Sequence, residues 1–360
     1  MKRFGADEAS WNQPAAKYGP APDLQEYATR FFDHAGGADK PGNVNVSFGN
    51  FAIPVYSASD ATTVARVYQT RWAQELYTVP VGVAMPWNPK WVAGTGTDNL
   101  LTVIDEKTGT AWVVGGIGQL RMNCWDLFGP NGQAGYDINN PVHLCTTGVQ
   151  SHGGLFTFKD GSTVDGRGMG INQVALTVRA REVRSGCICH VVEMTITNTM
   201  FGDPACIPIN DPNVPGFGRT CGGFVKPATK LERAVPNNIG CPVPTPVTEA
   251  ERSKTIPEGM RFALKMTDGE IAAWLDSREL TGKLRETARI FAVALRDYGW
   301  IVAESGCFGN AIQTDSANAG EAASIWRNDL GITGTGDWPS GDLLSGLLKR
   351  DRIVVIQPPP

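Results

Sequence analysis

A carboxylate and an imidazole stand eight positions apart in RAREVRSGCICHVVE, the run from Arg179 to Glu193. If Glu182 closes one strand and His190 lies on the next, their side chains can meet across a hairpin. That would place an ionisable pair in a cleft. Arg179 and Arg181 would then share one face of the first strand. The competing reading is a histidine buried and satisfied in an apolar strand. Glycoside cleavage needs two carboxyl groups about 5–10 Å apart. Asp98 with Glu182 is the pairing the sequence offers, with His190 as orienter and Arg179 as a substrate contact.

Two more clusters could hold a ligand. Trp87 and Trp91 flank turn residues in MPWNPKWVAG (85–94), where indoles can stack on the apolar face of a sugar ring. Core or rim packing is the alternative for both. Trp125 and Asp126 stand with Tyr136 and Asp137 in MNCWDLFGPNGQAGYDINNP (122–141), a polar loop with aromatic anchors. No phosphate loop, dinucleotide fingerprint, GxSxG elbow or HExxH occurs. The four histidines and eight cysteines fit no zinc-ligand spacing. No metal and no cofactor is expected.

Cys187 and Cys189, on one face of a strand, would be about 7 Å apart, too far for an unstrained disulfide. The cysteines read either as small buried hydrophobes or as a partial disulfide set that draws on Cys206, Cys221 and Cys241.

The elements that must position these residues are mostly strands. From about Val44 to Phe158 the apolar period is two, in short segments rich in Val, Thr and aromatics. LLTVID-EKTG-TAWVV and LFTF-KDGS-TV read as hairpins, and Asp105 at the first turn reads as structural. Strand signals return at QVALTVRAREV and CICHVVEMTITNT. The expected fold is mainly β, a sandwich or jelly roll with a few helices packed on one side.

One domain is expected over 1–360. It begins with an arm and a short helix (1–43), in which Leu24, Tyr27, Ala28 and Phe31 share a face. Residues 202–258 form an insertion with ten prolines and three cysteines, expected to be ordered by packing on the sandwich or on a neighbouring subunit. A helical segment follows at 268–299. Asp268 caps its first helix, Thr281 its second, and Gly299 ends it. WIVAES and DRIVVI are the last strands.

Composition bounds the function classes. The 360 residues carry 32 basic and 36 acidic side chains, a net charge of −4, which excludes the basic stripe of a nucleic-acid binder. No apolar stretch approaches the ~20 residues of a membrane span. The start MKRFGADEASWNQP lacks the apolar core of a secretory signal. Either the chain stays in a cytosol, leaves by another route such as lysis, or has lost a signal. The 42 glycines and 24 prolines follow no period, so they signal turns and long loops.

Read in order, Trp11-Asn12, GTD (96–98), DEKTG (105–109), EVRSGCICHVV (182–192), PA (227–228), IPEGMRFAL (256–264) and ALRDYG (294–299) form a set. The set resembles a broad family of exported bacterial β-sandwich proteins of unclear function and runs from about residue 11 to 304. Two features depart from the family pattern: Val191-Val192 after His190, and the displaced acid Glu304. TEAERSKTIPEGMRFAL and RETARIFAVALRDYGW are similar to minor tail proteins of phages that infect actinobacteria. That resemblance implies a virion tail component, assembled in the host cytoplasm, that engages the cell envelope or neighbouring tail subunits. It implies other tail proteins and copies of itself as partners, with no nucleic acid and no membrane insertion. The alternative is an extracellular glycoside hydrolase or glycan-binding protein acting on an actinobacterial wall polysaccharide.

Overall fold

The computed structural model describes residues 4–35, 42, 44–69, 83–95, 99–115, 143–146, 148–152, 168–171, 173–196, 199–200, 207–218, 221–231, 255–306, 310–333 and 343–360. Within them the chain is sheet-rich, with three sheets and several helices. In chain order the strands are β1 (Asn45–Ser47), β2 (Val55–Ser57), β3 (Thr63–Gln69), β4 (Val83–Trp87) and β5 (Leu101–Asp105). Next come β6 (Thr110–Gly115), β7 (His143–Thr146), β8 (Gly148–His152), β9 (Val192–Ile196) and β10 (Arg261–Leu264). The last are β11 (Trp300–Ser305), β12 (Ala311–Gln313) and β13 (Ile353–Ile356). The α-helices are α1 (Glu26–Arg30), α2 (Ala180–Arg184), α3 (Asp268–Ser277), α4 (Gly282–Asp297) and α5 (Gly320–Ser324).

The largest sheet has six strands in the order β1-β12-β9-β11-β10-β13. Its pairings are mixed: β1 with β12 and β9 with β11 are parallel, and the others antiparallel. Both faces are buried, and the period of two sorts the side chains. Trp300 and Val302 of β11, with Val192 and Met194 of β9, join Phe291 and Leu295 of α4 and Trp274 of α3 in the main core. Ile301 and Ala303 point the other way, into a second core with Ile104, Ala111 and Val113 of β5 and β6. The opposite faces of β5 and β6 place Leu101, Val103 and Val114 against Ala65 and Met85 of the third sheet. That sheet runs β4-β3-β7, and the sheet between runs β2-β5-β6-β8.

The segment 268–299 folds as its periodicity requires. Leu284, Ala288, Phe291 and Leu295 of α4 pack on the main core. The N-cap of α3 is Thr267, not Asp268. Thr267 Oγ1 accepts from the Glu270 amide at 3.2 Å, and Glu270 Oε2 accepts from the Thr267 amide at 2.8 Å. This reciprocal box satisfies two helix-end donors, and Asp268 instead pairs with Arg296 of α4.

Gly299 ends α4 with φ +77°, and a Cβ there would sit 2.0 Å from the Phe262 carbonyl oxygen on β10. Gly299→Ala therefore meets a left-handed backbone and a backbone clash together. It should lower unfolding stability in urea by about 1–3 kcal/mol, and an unchanged midpoint would show that β10 yields.

The β5–β6 hairpin is as the sequence indicates. Asp105 Oδ1 accepts from the Lys107 amide at 2.9 Å, and Oδ2 accepts from Thr108 Oγ1 at 2.8 Å. The KDGS hairpin (159–162) lies outside the described residues. Within 202–258, Val225 enters the main core and Phe224, Ala228 and Leu231 enter the second, whereas Ile207 and Val214 are exposed. Cys221 in this stretch is disulfide-bonded.

Two expectations are overturned around Glu182. The strand expected over QVALTVRAREV is a 3-10 turn at Gln173–Ala175, a bridge from Val178 to Thr314, and then α2. Ala, Arg and Glu are strong helix formers, and the Glu182 carboxylate accepts from the Arg179 amide at 3.3 Å, closing the first turn. Gly186 at φ +92° stops the helix. Cys187 and Cys189 consequently lie in an irregular link and not on a strand. Their Cα atoms are 5.3 Å apart and the two are disulfide partners.

Candidate functional site

Helix α2 and the link after it bring three of the residues singled out in the sequence together. Glu182 on α2 and His190 just before β9 are both buried, and His190 Nε2 lies 3.1 Å from Glu182 Oε2. The contact expected across a hairpin is made by a helix and a loop instead. Both ring nitrogens of His190 face acceptors, since Nδ1 lies 2.7 Å from the Val191 carbonyl oxygen. The other oxygen of Glu182 accepts from Arg179 Nη2. His190, Glu182 and Arg179 thus form one buried chain of charge-assisted hydrogen bonds.

Arg179 is the N-cap residue of α2, and its guanidinium covers the Phe4 ring at 4.3 Å. Burial pushes its pKa down to about 10, opposed by the charges of Asp315 and Glu106. Its Nε is buried with no hydrogen-bond partner among the described residues.

Asp315 completes the site from the far end of the chain. It follows β12, where its amide donates to the Val178 carbonyl at 2.8 Å. Asp315 Oδ1 accepts from the Ala180 amide at 2.9 Å and from Trp326 Nε1 at 2.7 Å. Burial nevertheless pushes its carboxyl up to about 7, against those two bonds and the charges of Arg179 and Arg181. A carboxyl held half-protonated near neutrality can give or take a proton.

Arg179 and Asp315 line a cleft of about 110 Å³ together with Phe4, Tyr56, Asp60, Glu106, Arg181 and Glu321. The cleft lies where β2, the end of β5, α2 and α5 converge. Arg181 and Glu321 pair across its exposed rim. The walls are acidic overall, with two cations, so they present donors and acceptors side by side.

The tryptophans are placed in packing. Trp87 of β4 is buried with Met85 against Leu101 of the four-stranded sheet. Trp91 is half-buried, stacked on Tyr56 at 4.9 Å and meeting Trp87 edge-on at 5.6 Å. Tyr56 links this cluster to the cleft, although its hydroxyl is held by the amide and carbonyl of Val92. Asp98, Trp125 and Asp126 lie outside the described residues. Asp315 was not singled out because QTDSANAG reads as a polar turn, and no local signal tells that its carboxylate is buried.

Among the described residues, no group of three or more His, Cys, Asp or Glu is placed to hold a metal ion, and no helix is long and apolar enough to cross a membrane. No protein-family model matches the chain, and comparisons with curated proteins and with solved structures find no match.

Proposed function

We propose that the protein is a minor tail protein of a phage virion that engages the host envelope, with the Arg179–Asp315 cleft as its glycan-binding site. The tail assignment rests on the likeness of TEAERSKTIPEGMRFAL (248–264) and RETARIFAVALRDYGW (285–300) to such proteins. The observation that carries the binding role is the cleft, where the carboxylates of Asp60, Glu106 and Glu321 stand beside the guanidinium groups of Arg179 and Arg181. Sugar hydroxyls donate and accept at once, so they match such walls better than an ion of either sign.

The face-to-face stacking of the six-stranded and four-stranded sheets through Ile301 and Val113 supports reading the architecture as a β-sandwich with helices on one side. On this reading the partners are neighbouring tail subunits, copies of the chain and a wall polysaccharide. The protein is assembled in the host cytoplasm and acts on the virion.

Co-sedimentation with isolated actinobacterial cell walls tests the binding role. The purified chain should pellet with the walls and be displaced by soluble wall polysaccharide. A chain that stays in the supernatant sinks the glycan reading. A gene set among polysaccharide-utilisation genes, and not among tail genes, sinks the virion reading.

A further inference from the structure

We propose that the Cys187–Cys189 disulfide is a thiol–disulfide exchange site whose substrate is a thiol. It takes two electrons from a pair of thiols, opens without unfolding the chain, and closes again on oxidation. The site uses no residue of the cleft, so it stands or falls apart from the glycan reading.

The bond does little as a brace. Its two cysteines are separated by a single residue. A disulfide stabilises chiefly by restraining the unfolded loop that it closes, and the gain shrinks with the length of that loop. A bond across one residue restrains almost nothing.

The link between α2 and β9 is also held without it. On the α2 side, the Gly186 amide donates to the Val183 carbonyl at 2.9 Å and the Cys187 amide to the Glu182 carbonyl at 3.3 Å. Ser185 Oγ donates to that same Glu182 carbonyl at 2.7 Å. On the β9 side, the Val191 amide donates to the Trp11 carbonyl at 2.8 Å and the Val192 amide to the Gly299 carbonyl at 3.2 Å. Ile188, between the two cysteines, is packed in the main core and only 1 % exposed. None of these contacts needs the sulfur–sulfur bond.

A reagent can reach the bond. Cys187 and Cys189 are both partly exposed, and Arg184, Ser185 and Gly186 before them are exposed. Ile188 takes the inward side of the link, so the bonded pair takes the outward side. Cysteines used as small hydrophobes are buried, whereas exposed disulfides are the labile ones that exchange.

The exchange balances with thiols alone. A substrate thiolate bonds to one of the two sulfurs, and the other leaves as a thiolate that takes a proton from water. A second substrate thiolate attacks the mixed disulfide, releasing the oxidised substrate and the second cysteine thiol. Two thiols are oxidised to one disulfide, and one protein disulfide is reduced to two thiols. The freed cysteine lies two positions from the mixed disulfide, and this proximity lets it attack back and expel the substrate.

The test treats the air-oxidised full chain with dithiothreitol in native buffer and in concentrated urea, blocks free thiols with iodoacetamide, and reads positions 187 and 189 by peptide mass. The bond should open in native buffer at a rate within about a hundredfold of that in urea. A slower opening means that unfolding must come first, and overturns the proposal, as do free thiols at both positions after air oxidation. In a second measurement, reduced chains are treated with oxidised glutathione. Cys187→Ser and Cys189→Ser should each keep one glutathione on the remaining cysteine. The wild-type chain should close its own bond and keep none at either position. Glutathione retained there by the wild type, or refused by both variants, also overturns the site.

Discussion

Arg179→Met should lower the free energy of unfolding by about 3–5 kcal/mol, the range for removing one partner of a buried ion pair. Methionine nearly fills the space of the side chain, so the loss is chiefly electrostatic. Glu182 would keep His190 but lose the guanidinium on its other oxygen. Asp315, already raised to about 7 by burial, would lose a stabilising charge beside it. Phe4 would lose the cation over its ring. Urea unfolding of both chains at one pH measures the difference. Adding Glu182→Gln to the variant should recover part of the loss, because no uncompensated carboxylate is then left inside. A loss below about 1 kcal/mol, typical of an exposed pair, would mean that solvent reaches the chain of hydrogen bonds and that it is not a buried unit.

The second large effect is a pH dependence. The carboxyl of Asp315 titrates near 3.8 when unfolded and near 7 in the folded chain. Between those values the folded state keeps a proton that the unfolded state has released. Its contribution to stability therefore falls as pH rises through that window. Below about 4 and above about 7 the contribution is flat. A shift of this size corresponds to about 3–5 kcal/mol across the window. Asp315→Asn has no carboxyl to ionise, and its side-chain oxygen can still accept from Ala180 and Trp326. The variant should match the wild type near pH 4 and be more stable at pH 8, with a flatter profile between. Equilibrium unfolding at several pH values decides it. If both proteins follow the same curve, Asp315 is not the titrating group.

The helices α3 and α4 were legible because their signals are local. Ile271, Trp274 and Leu275 recur at helical spacing, as do Leu284, Ala288, Phe291 and Leu295, and Gly299 marks a stop that only a left-handed residue can make. The β5–β6 hairpin was legible for the same reason, since Asp105, Thr108 and Gly109 build their turn from within it. The error at Arg179–Arg184 has a physical source. In these six residues only Ala180 and Val183 are apolar, and a run this short establishes neither the helical period nor the strand period. The Glu182 bond to the Arg179 amide and the turn at Gly186 settle it as a helix. With the strand went the geometry assumed for Cys187 and Cys189.

The sequence by itself determined the helices α3 and α4, the β5–β6 hairpin, and that Glu182 and His190 are close enough along the chain to touch. The tertiary structure alone decided which carboxyl is poised for chemistry. Asp315 sits in a polar turn whose neighbours give no hint of burial. Its state is set by Ala180, 135 positions away, by Trp326, and by Arg179, which α2 carries to the same cleft. Likewise, β9 pairs with β11 across about one hundred intervening residues, a choice no short-range pattern encodes. Helix propensity, caps and turns act over a few residues, so they can be read along the chain. Desolvation depends on everything packed around a group, so the raised pKa of Asp315 exists only in the folded protein.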